Sequence, residues 1–517
     1  MIQLTVAQVA EIVGGELADV SAADAARLHI TGTVEFDSRR ITPGGLFLAL
    51  PGARSDGHDH AAAAVHAGAV AVLAARPVGV PAILLRPTAA VDPRASVLEH
   101  DVNGSGAAVL AALARLASFV AAQLVAGGLT IIGVTGSSGK TSTKDLIAAV
   151  LAPLGEVVAP PGSFNNELGH PWTVLRATPD TDFLVLEMSA RRPGNIAELA
   201  AIAPPSIAVV LNVGTAHLGE FGSRDAIAAT KAELPQAVPP SGVVILNVDD
   251  ATVAAMAAMT AARVVRVSRE SSAADVWADR VGLDALARPS FTLHAPNLEM
   301  PVTLSVHGEH QVANALCAAA VALECGATGR QVAAALAAAG PASAQRMEVT
   351  TRPDGVVMIN DAYNANPDSM RAGLQALAWM SRSGGQERWG NPRPKGKGDD
   401  QGMSEPEHGR RSWAVLGEMA ELGADAISEH DRIGRLAVRL DVSRLVVVGT
   451  GRSMRAMHHG AVMEGSWGGE ATMVDDADAA LALLRAELAP GDVVLVKASN
   501  SAGLGALAQA LARATTG

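Results

Sequence analysis

The stretch LTIIGVTGSSGKTSTKDLIAA, residues 129–149, constrains this chain more than any other. An apolar, β-branched run from Leu129 to Val134 leads into Thr135-Gly136-Ser137-Ser138-Gly139-Lys140-Thr141, and a helical pattern starts near Thr141. Strand, glycine-rich turn and helix in this order aim backbone N–H groups and a helix N-terminus at one point, which suits a bound phosphate. Lys140 adds a mobile positive charge for β/γ-phosphates, and the Thr141 hydroxyl can hold Mg²⁺. The glycines run Gly133, Gly136, Gly139, a departure from the common phosphate-loop spacing.

Composition narrows the setting. A chain of 517 residues is too long for one core. Hydrophobic residues at 49% and charged residues at 18% describe a globular protein. A net charge of −12 disfavours non-specific nucleic-acid binding. Cys317 and Cys325 share one Ala-rich helical segment and offer no disulfide framework, so a reducing, cytoplasmic compartment is expected. The N-terminus lacks the features of a signal peptide. The run 107–126 is about long enough to span a bilayer, but it carries Arg115 and Gln123 and is mostly Ala, so a packing helix without membrane insertion is expected. Six lysines remain in a chain dominated by Arg, at 140, 144, 231, 395, 397 and 497. Arg cannot serve as a compact point charge or a readily deprotonated amine, so the lysines outside the 381–411 insert are candidates for chemistry. The single tyrosine, Tyr363, is another.

The expected fold class is α/β with three domains: a central parallel-sheet P-loop ATPase domain, a small α/β N-terminal domain and a Rossmann-like C-terminal domain. Residues 1–105 read as short strands and helices, with Asp37-Ser38-Arg39 and the loop 55–58 between them. Residues 106–340 alternate helices with the strand-like runs 129–135, 182–189, 206–213 and 242–250, which implies a parallel sheet with ligands at the carboxyl ends. Glu187, His217 and Lys231 fall at or beyond those ends. A carboxylate and an imidazole near a phosphate loop suit a divalent metal; a hydrogen-bonded loop histidine is the alternative for His217. Residues 341–517 hold a second open sheet without a G-x-G-x-x-G fingerprint, so a redox cofactor is not supported. Within it, residues 381–411 are rich in Gly, Pro and charge and read as a flexible surface insert.

Further motifs follow in order: GSFNNELGHPWTVL (162–175), LEMSARRPGNI (186–196), NVGTAHLGEFGS (212–223), ATKAEL (229–234), HGEHQVANALCAAA (307–320), NDAYNANPDSM (360–370), LGEMAELG (416–423) and VKASNSAGL (496–504). With the phosphate turn, this series resembles the Mur ligase family over nearly the whole chain. The Asn165-Asn166 pair, the run Tyr363-Asn364-Ala365-Asn366-Pro367 and Gly417-Glu418-Met419-Ala420 point to the member that adds D-alanyl-D-alanine to UDP-N-acetylmuramoyl-tripeptide. The resemblance implies that Gly136, Ser137, Ser138, Gly139, Lys140 and Thr141 bind ATP phosphates, with Thr141, Glu187 and His217 as Mg²⁺ ligands. It implies that Lys231 is carbamylated and supports a second Mg²⁺, and that Asn314 contacts adenine while Arg346 and Asp361 close over the nucleotide. Ser38 and Arg39 would hold the uridine diphosphate, and Asn165 and Asn166 would line the muramoyl-peptide site. Tyr363, Asn364 and Lys497 lie in matching motifs. A monomeric enzyme is implied. The chain departs from the family at Gln345 (usually Gly), Gln311 (commonly Asn), Ala498 and Asn500 (usually Gly and Arg).

The reaction implied is amide formation. ATP phosphorylates a carboxylate to an acyl phosphate, and the dipeptide amine displaces phosphate. An acyl phosphate hydrolyses in open water, so closure before reaction is expected. A sibling ligase that adds another amino acid, or glutamate to folate, is the near alternative; a non-catalytic nucleotide-binding regulator is the distant one. Glu187, His217 and Lys231 argue against a regulator, which has no use for a second-metal lysine.

Overall fold

The β-branched run before the phosphate turn folds as the strand Thr130–Thr135, and the helix Lys140–Leu151 begins at the lysine itself. The computed structural model describes residues 1–87, 98–215, 218–382, 410–466 and 468–513. The sequence expectation for the 381–411 insert falls largely on 383–409, and His217 is also outside the described residues.

Two compact units are formed, one from residues 1–136, 151–213 and 225–265, the other from 137–150, 214–224 and 266–517. In the first, Thr130–Thr135 pairs in parallel with Phe183–Glu187 on one side and Ile207–Val210 on the other. Val243–Asn247 extends one flank and Val157–Val158 the other, again in parallel. Phe183–Glu187 and Ile207–Val210 are buried along their whole length, as strands covered on both faces must be. Gly133 is needed here because a Cβ would sit 3.1 Å from Leu234 and 3.2 Å from Met188.

The same unit carries an N-terminal sheet of Glu16–Ala18, Ala82–Leu84, Ala69–Ala74, Gly45–Leu48 and Val34–Glu35, parallel except for the first pair. The helix Ser105–Ala126 packs Leu113, Leu116 and Val120 inward. It is the one helix among the described residues long and apolar enough to cross a membrane, and more than half of that stretch is buried within the fold. Arg115 sits in its apolar run for a reason: its guanidinium donates to Val13 O (2.7 Å), the last residue of the helix Val6–Val13.

In the second unit, six strands run in the order Glu348–Thr351, Val357–Asn360, Val493–Lys497, Ser412–Leu416, Arg444–Val448, Ala471–Val474, parallel after the first pair. Helices Pro367–Ser381 and Ala426–Arg439 pack on one face, Ala477–Glu487 and Leu504–Ala512 on the other. This is the open, doubly covered sheet expected for the C-terminal domain.

One expectation needs correction. The parallel sheet expected from the runs within 106–340 is present, but Val276–Leu283, Pro289–Ala295 and Leu298–Thr303 add an antiparallel meander that the alternation of strand and helix does not predict. Such strands keep one solvated face, so their hydrophobic signal is half that of a buried parallel strand. The signal that would have revealed them is the two-residue turn Pro296-Asn297, with Asn297 at φ 58°.

Candidate active site

The phosphate turn takes its shape from Gly139, whose φ of 81° suits glycine and whose missing side chain leaves room for Asn314: a Cβ there would lie 2.8 Å from Asn314 Oδ1. Ser137 Oγ accepts from the Gly214 N–H at 2.9 Å. Thr141 is buried at the head of its helix, and the Arg346 guanidinium donates to its Oγ1 at 3.3 Å. Arg346 also lies over the Tyr363 ring, 4.3 Å from its centroid. Asp361 Oδ1 accepts from the Met347 N–H (3.1 Å), and Asp361 Oδ2 pairs with Lys497 Nζ at 2.5 Å. Lys497 also donates to Asn364 O at 3.0 Å. Burial drives the Lys497 amine below its usual range, a shift Asp361 opposes. Thr141, Asn314, Arg346, Asp361, Tyr363 and Asn364 therefore share one unit, and Lys497 ties the 361–364 segment to its own strand at both Asp361 and Asn364.

Beside the phosphate helix lies a shallow cleft bordered by Ser142, Asp145, Gln311, Ser343, Arg346 and Met347. Gln311 Oε1 accepts from Asn314 Nδ2 at 2.9 Å, so the glutamine found in place of the common asparagine holds the Asn314 amide. Gln345 has φ 59°, the left-handed region, which explains why glycine is usual there. Ala498 is fully buried against Gly417, where a Cβ would come within 2.8 Å of it. The structure gives no account of Asn500 beyond its place in the short turn Asn500–Ala502.

In the other unit, Glu187 is the last residue of its strand and pairs with Val134, two residues before Gly136. Its Oε1 accepts from Asn165 Nδ2 (2.7 Å) and Ser163 Oγ (3.0 Å). Asn166 Oδ1 accepts from the Gly169 N–H (2.9 Å) at the start of the helix Gly169–Val174. The Asn-Asn pair thus orients a carboxylate with one residue and shapes a helix entry with the other. Lys231 is buried in the helix Arg224–Ala237, and the nearby Glu233 accepts from the Gly194 and Ala197 N–H groups. Ser38 opens a short 3₁₀ turn, and Arg39 grips Asp37 with two bonds of 2.8 and 2.9 Å while its side chain stays exposed. Trp172 joins this N-terminal sheet to the 162–175 segment: its Nε1 donates to Val34 O at 2.9 Å, and its ring meets Phe36 and Phe164.

Lys144, flagged by its scarcity, is buried and paired with Asp145 at 2.5 Å, while Asp145 accepts from the Ser343 N–H. Among the described residues, no three His, Cys, Asp or Glu side chains converge as a preformed cation site. The oxygen donors Thr141 Oγ1 and Glu187, each a hard ligand, are of the type that suits Mg²⁺. His430 was missed by the sequence reading; it sits fully buried behind the 416–423 motif, 2.9 Å from the Met419 N–H.

Three family models match: the Mur ligase middle domain over residues 134–322, the Mur ligase glutamate ligase domain over 401–500, and the Mur ligase family catalytic domain over 30–120. The chain is 72% identical to the UDP-N-acetylmuramoyl-tripeptide--D-alanyl-D-alanine ligase of Mycobacterium tuberculosis (strain ATCC 25618 / H37Rv), covering 99% of this chain and 98% of that one. It is 32% identical to the ligase of the same name from Escherichia coli (strain K12), over 99% of each. Among solved structures it is similar to MurF from Acinetobacter baumannii (TM-score 0.78, 26% identity, 99% of each chain). It is also similar to the MurF ligase from Thermotoga maritima in complex with ADP (TM-score 0.72, 25% identity, 94% of this chain and 98% of that one).

Proposed function

The chain belongs to the Mur ligase family, and we propose a division of labour among its residues for the reaction its relatives are named for. It is a ligase that joins D-alanyl-D-alanine to UDP-N-acetylmuramoyl-tripeptide in peptidoglycan synthesis, with ATP bound.

Within this reaction, the N–H groups of 136–141 and the Lys140 ammonium cradle the β/γ-phosphates. Asn314, held by Gln311, faces the base. Thr141, Glu187 and His217 would each offer a ligand to Mg²⁺, and a carbamate on Lys231 would support a second ion; Mg²⁺ would supply charge neutralisation of the phosphates. The tripeptide's terminal carboxylate attacks the γ-phosphorus and ADP leaves. Arg346 and Lys140 offset the charge that spreads over the transferring group. The dipeptide amine then adds to the acyl-phosphate carbonyl; the C–O bond to phosphate breaks and the amine proton is lost. Asn165 keeps Glu187 in place, Ser38 and Arg39 take the uridine diphosphate, and Tyr363 and Asn364 border the incoming dipeptide. The enzyme acts as a cytoplasmic monomer built of domains 1–105, 106–340 and 341–517.

The observation that supports this reading most is the convergence of Arg346 on Thr141, beside Asn314 at Gly139. The test is phosphate release in mixtures that leave out ATP, UDP-N-acetylmuramoyl-tripeptide or D-alanyl-D-alanine in turn. Release is expected only when all three are present; release that ignores the dipeptide, or that accepts free glutamate instead, overturns the reading.

A further inference from the structure

We infer that His430 is a positioning residue for the ligase reaction: as a neutral ring with its proton on Nδ1, it fixes the loop 417–422, which in turn holds the backbone just after His217. The inference rests on the reading of His217 given above.

His430 is fully buried on the helix Ala426–Arg439. Its Nδ1 lies 2.5 Å from Ala426 O, and the Met419 N–H points at its Nε2 at 2.9 Å. A carbonyl can only accept and an amide N–H can only donate, so Nδ1 carries the proton and Nε2 is bare. Any other protonation state sets two donors against each other at Met419. Burial lowers the ring's affinity for a second proton, against the Ala426 carbonyl and the charges of Glu418 and Glu429.

The loop fixed in this way has further ties. The Gly417 N–H donates to Lys497 O (3.0 Å), the Ser499 N–H to Glu418 O (2.9 Å) and the Ala420 N–H to Ser499 Oγ (2.9 Å). At its far end, Glu421 O accepts from the Gly219 N–H at 3.2 Å. The two backbones touch there: a Cβ on Gly219 would lie 2.6 Å from Gly423 N, and one on Gly423 would lie 2.5 Å from Gly219 Cα. Gly219 is two residues past His217. A ring buried behind the loop therefore governs where the Gly219 backbone is anchored, without touching a reactant itself.

The test uses the full chain. ¹⁵N spectra of histidine-labelled protein at pH 7, with the His430 signal identified from a His430→Gln sample, are expected to show a neutral ring protonated on Nδ1. A ring protonated on Nε2, or doubly protonated, overturns the inference. In phosphate-release assays, His430→Leu, which leaves Met419 without an acceptor, is expected to lower kcat about tenfold and raise the Mg²⁺ concentration for half-maximal rate, with KM for ATP within about twofold of wild type. His430→Gln, whose amide oxygen can accept from Met419, is expected to recover most of the loss. Unchanged kcat and Mg²⁺ dependence in His430→Leu, equal damage in both variants, or a loss that merely tracks thermal stability would sink the idea. A wild-type chain that shows no dipeptide-dependent release would instead overturn the ligase reading and leave the ring's tautomer untouched.

Discussion

Lys497 shows how one side chain can hold an active-site segment at two points. It is almost wholly buried, donates to Asp361 and Asn364, and lies in the strand that Gly417 backs onto. Lys497→Met would leave the Asp361 carboxylate enclosed without its partner, which costs about 3–5 kcal/mol. Urea denaturation of the variant checks this, and a loss under about 1 kcal/mol would contradict it. His170 makes a different case. It is fully buried, and burial pushes its imidazole down to about 4. An unfolded histidine titrates near 6.5. Between those values the unfolded chain binds a proton that the folded chain refuses, so this stability is present above pH 6.5 and drains away as pH falls towards 4. Melting temperatures from pH 7 to 4 are expected to fall less steeply for His170→Leu than for wild type; parallel curves would refute the assignment. Sequence reading found Lys497 by its scarcity but had no means of seeing what it touches, because its partners lie 133 and 136 residues away.

At the scale of elements, the run Tyr363-Asn364-Ala365-Asn366-Pro367 resolves into separate parts. Asn366 caps the helix Pro367–Ser381: its Oδ1 accepts from the Ser369 N–H (2.9 Å), and its own N–H donates to Ser369 Oγ (3.0 Å). Proline follows at the first helical position, where its missing N–H costs nothing. Tyr363 and Asn364 are thereby left to face Arg346 and Lys497. Asn366→Ala is expected to cost about 1 kcal/mol, while Asn366→Ser, whose hydroxyl keeps an acceptor for the Ser369 N–H, is expected to cost less. Thermal melts of the pair check this, and equal losses would argue against the cap. The long parallel strands were legible because burial on both faces writes an uninterrupted apolar run. The meander at 276–303 was not, since Val276–Leu283 and Leu298–Thr303 interleave buried positions with open ones. Asn166 was read as a substrate contact, and its side chain is engaged at a helix entry.

At the scale of the whole molecule, a ligand that binds only the folded state adds to its stability. ADP at about a hundred times its dissociation constant is expected to add about 2.7 kcal/mol, visible as a raised melting temperature. Lys140→Ala is expected to lose ATP-dependent turnover and much of this shift while melting like the ligand-free wild type, since alanine suits the first turn of a helix. A full shift with normal turnover in the variant would remove Lys140 from its role. The sequence by itself determined the phosphate turn, the alternation of strand and helix, and the order of motifs. Each of these is written by neighbours a few residues apart, through φ, burial period and capping. Only the tertiary structure decided that Asn165 serves Glu187, that Gln311 holds Asn314, that Asp145 pairs with Lys144 while accepting from Ser343, and that His430 stands behind the 416–423 loop. Those choices depend on hydrogen-bond partners brought together by packing, and the direction of a buried donor is set by the fold around it rather than by the residues beside it in the chain.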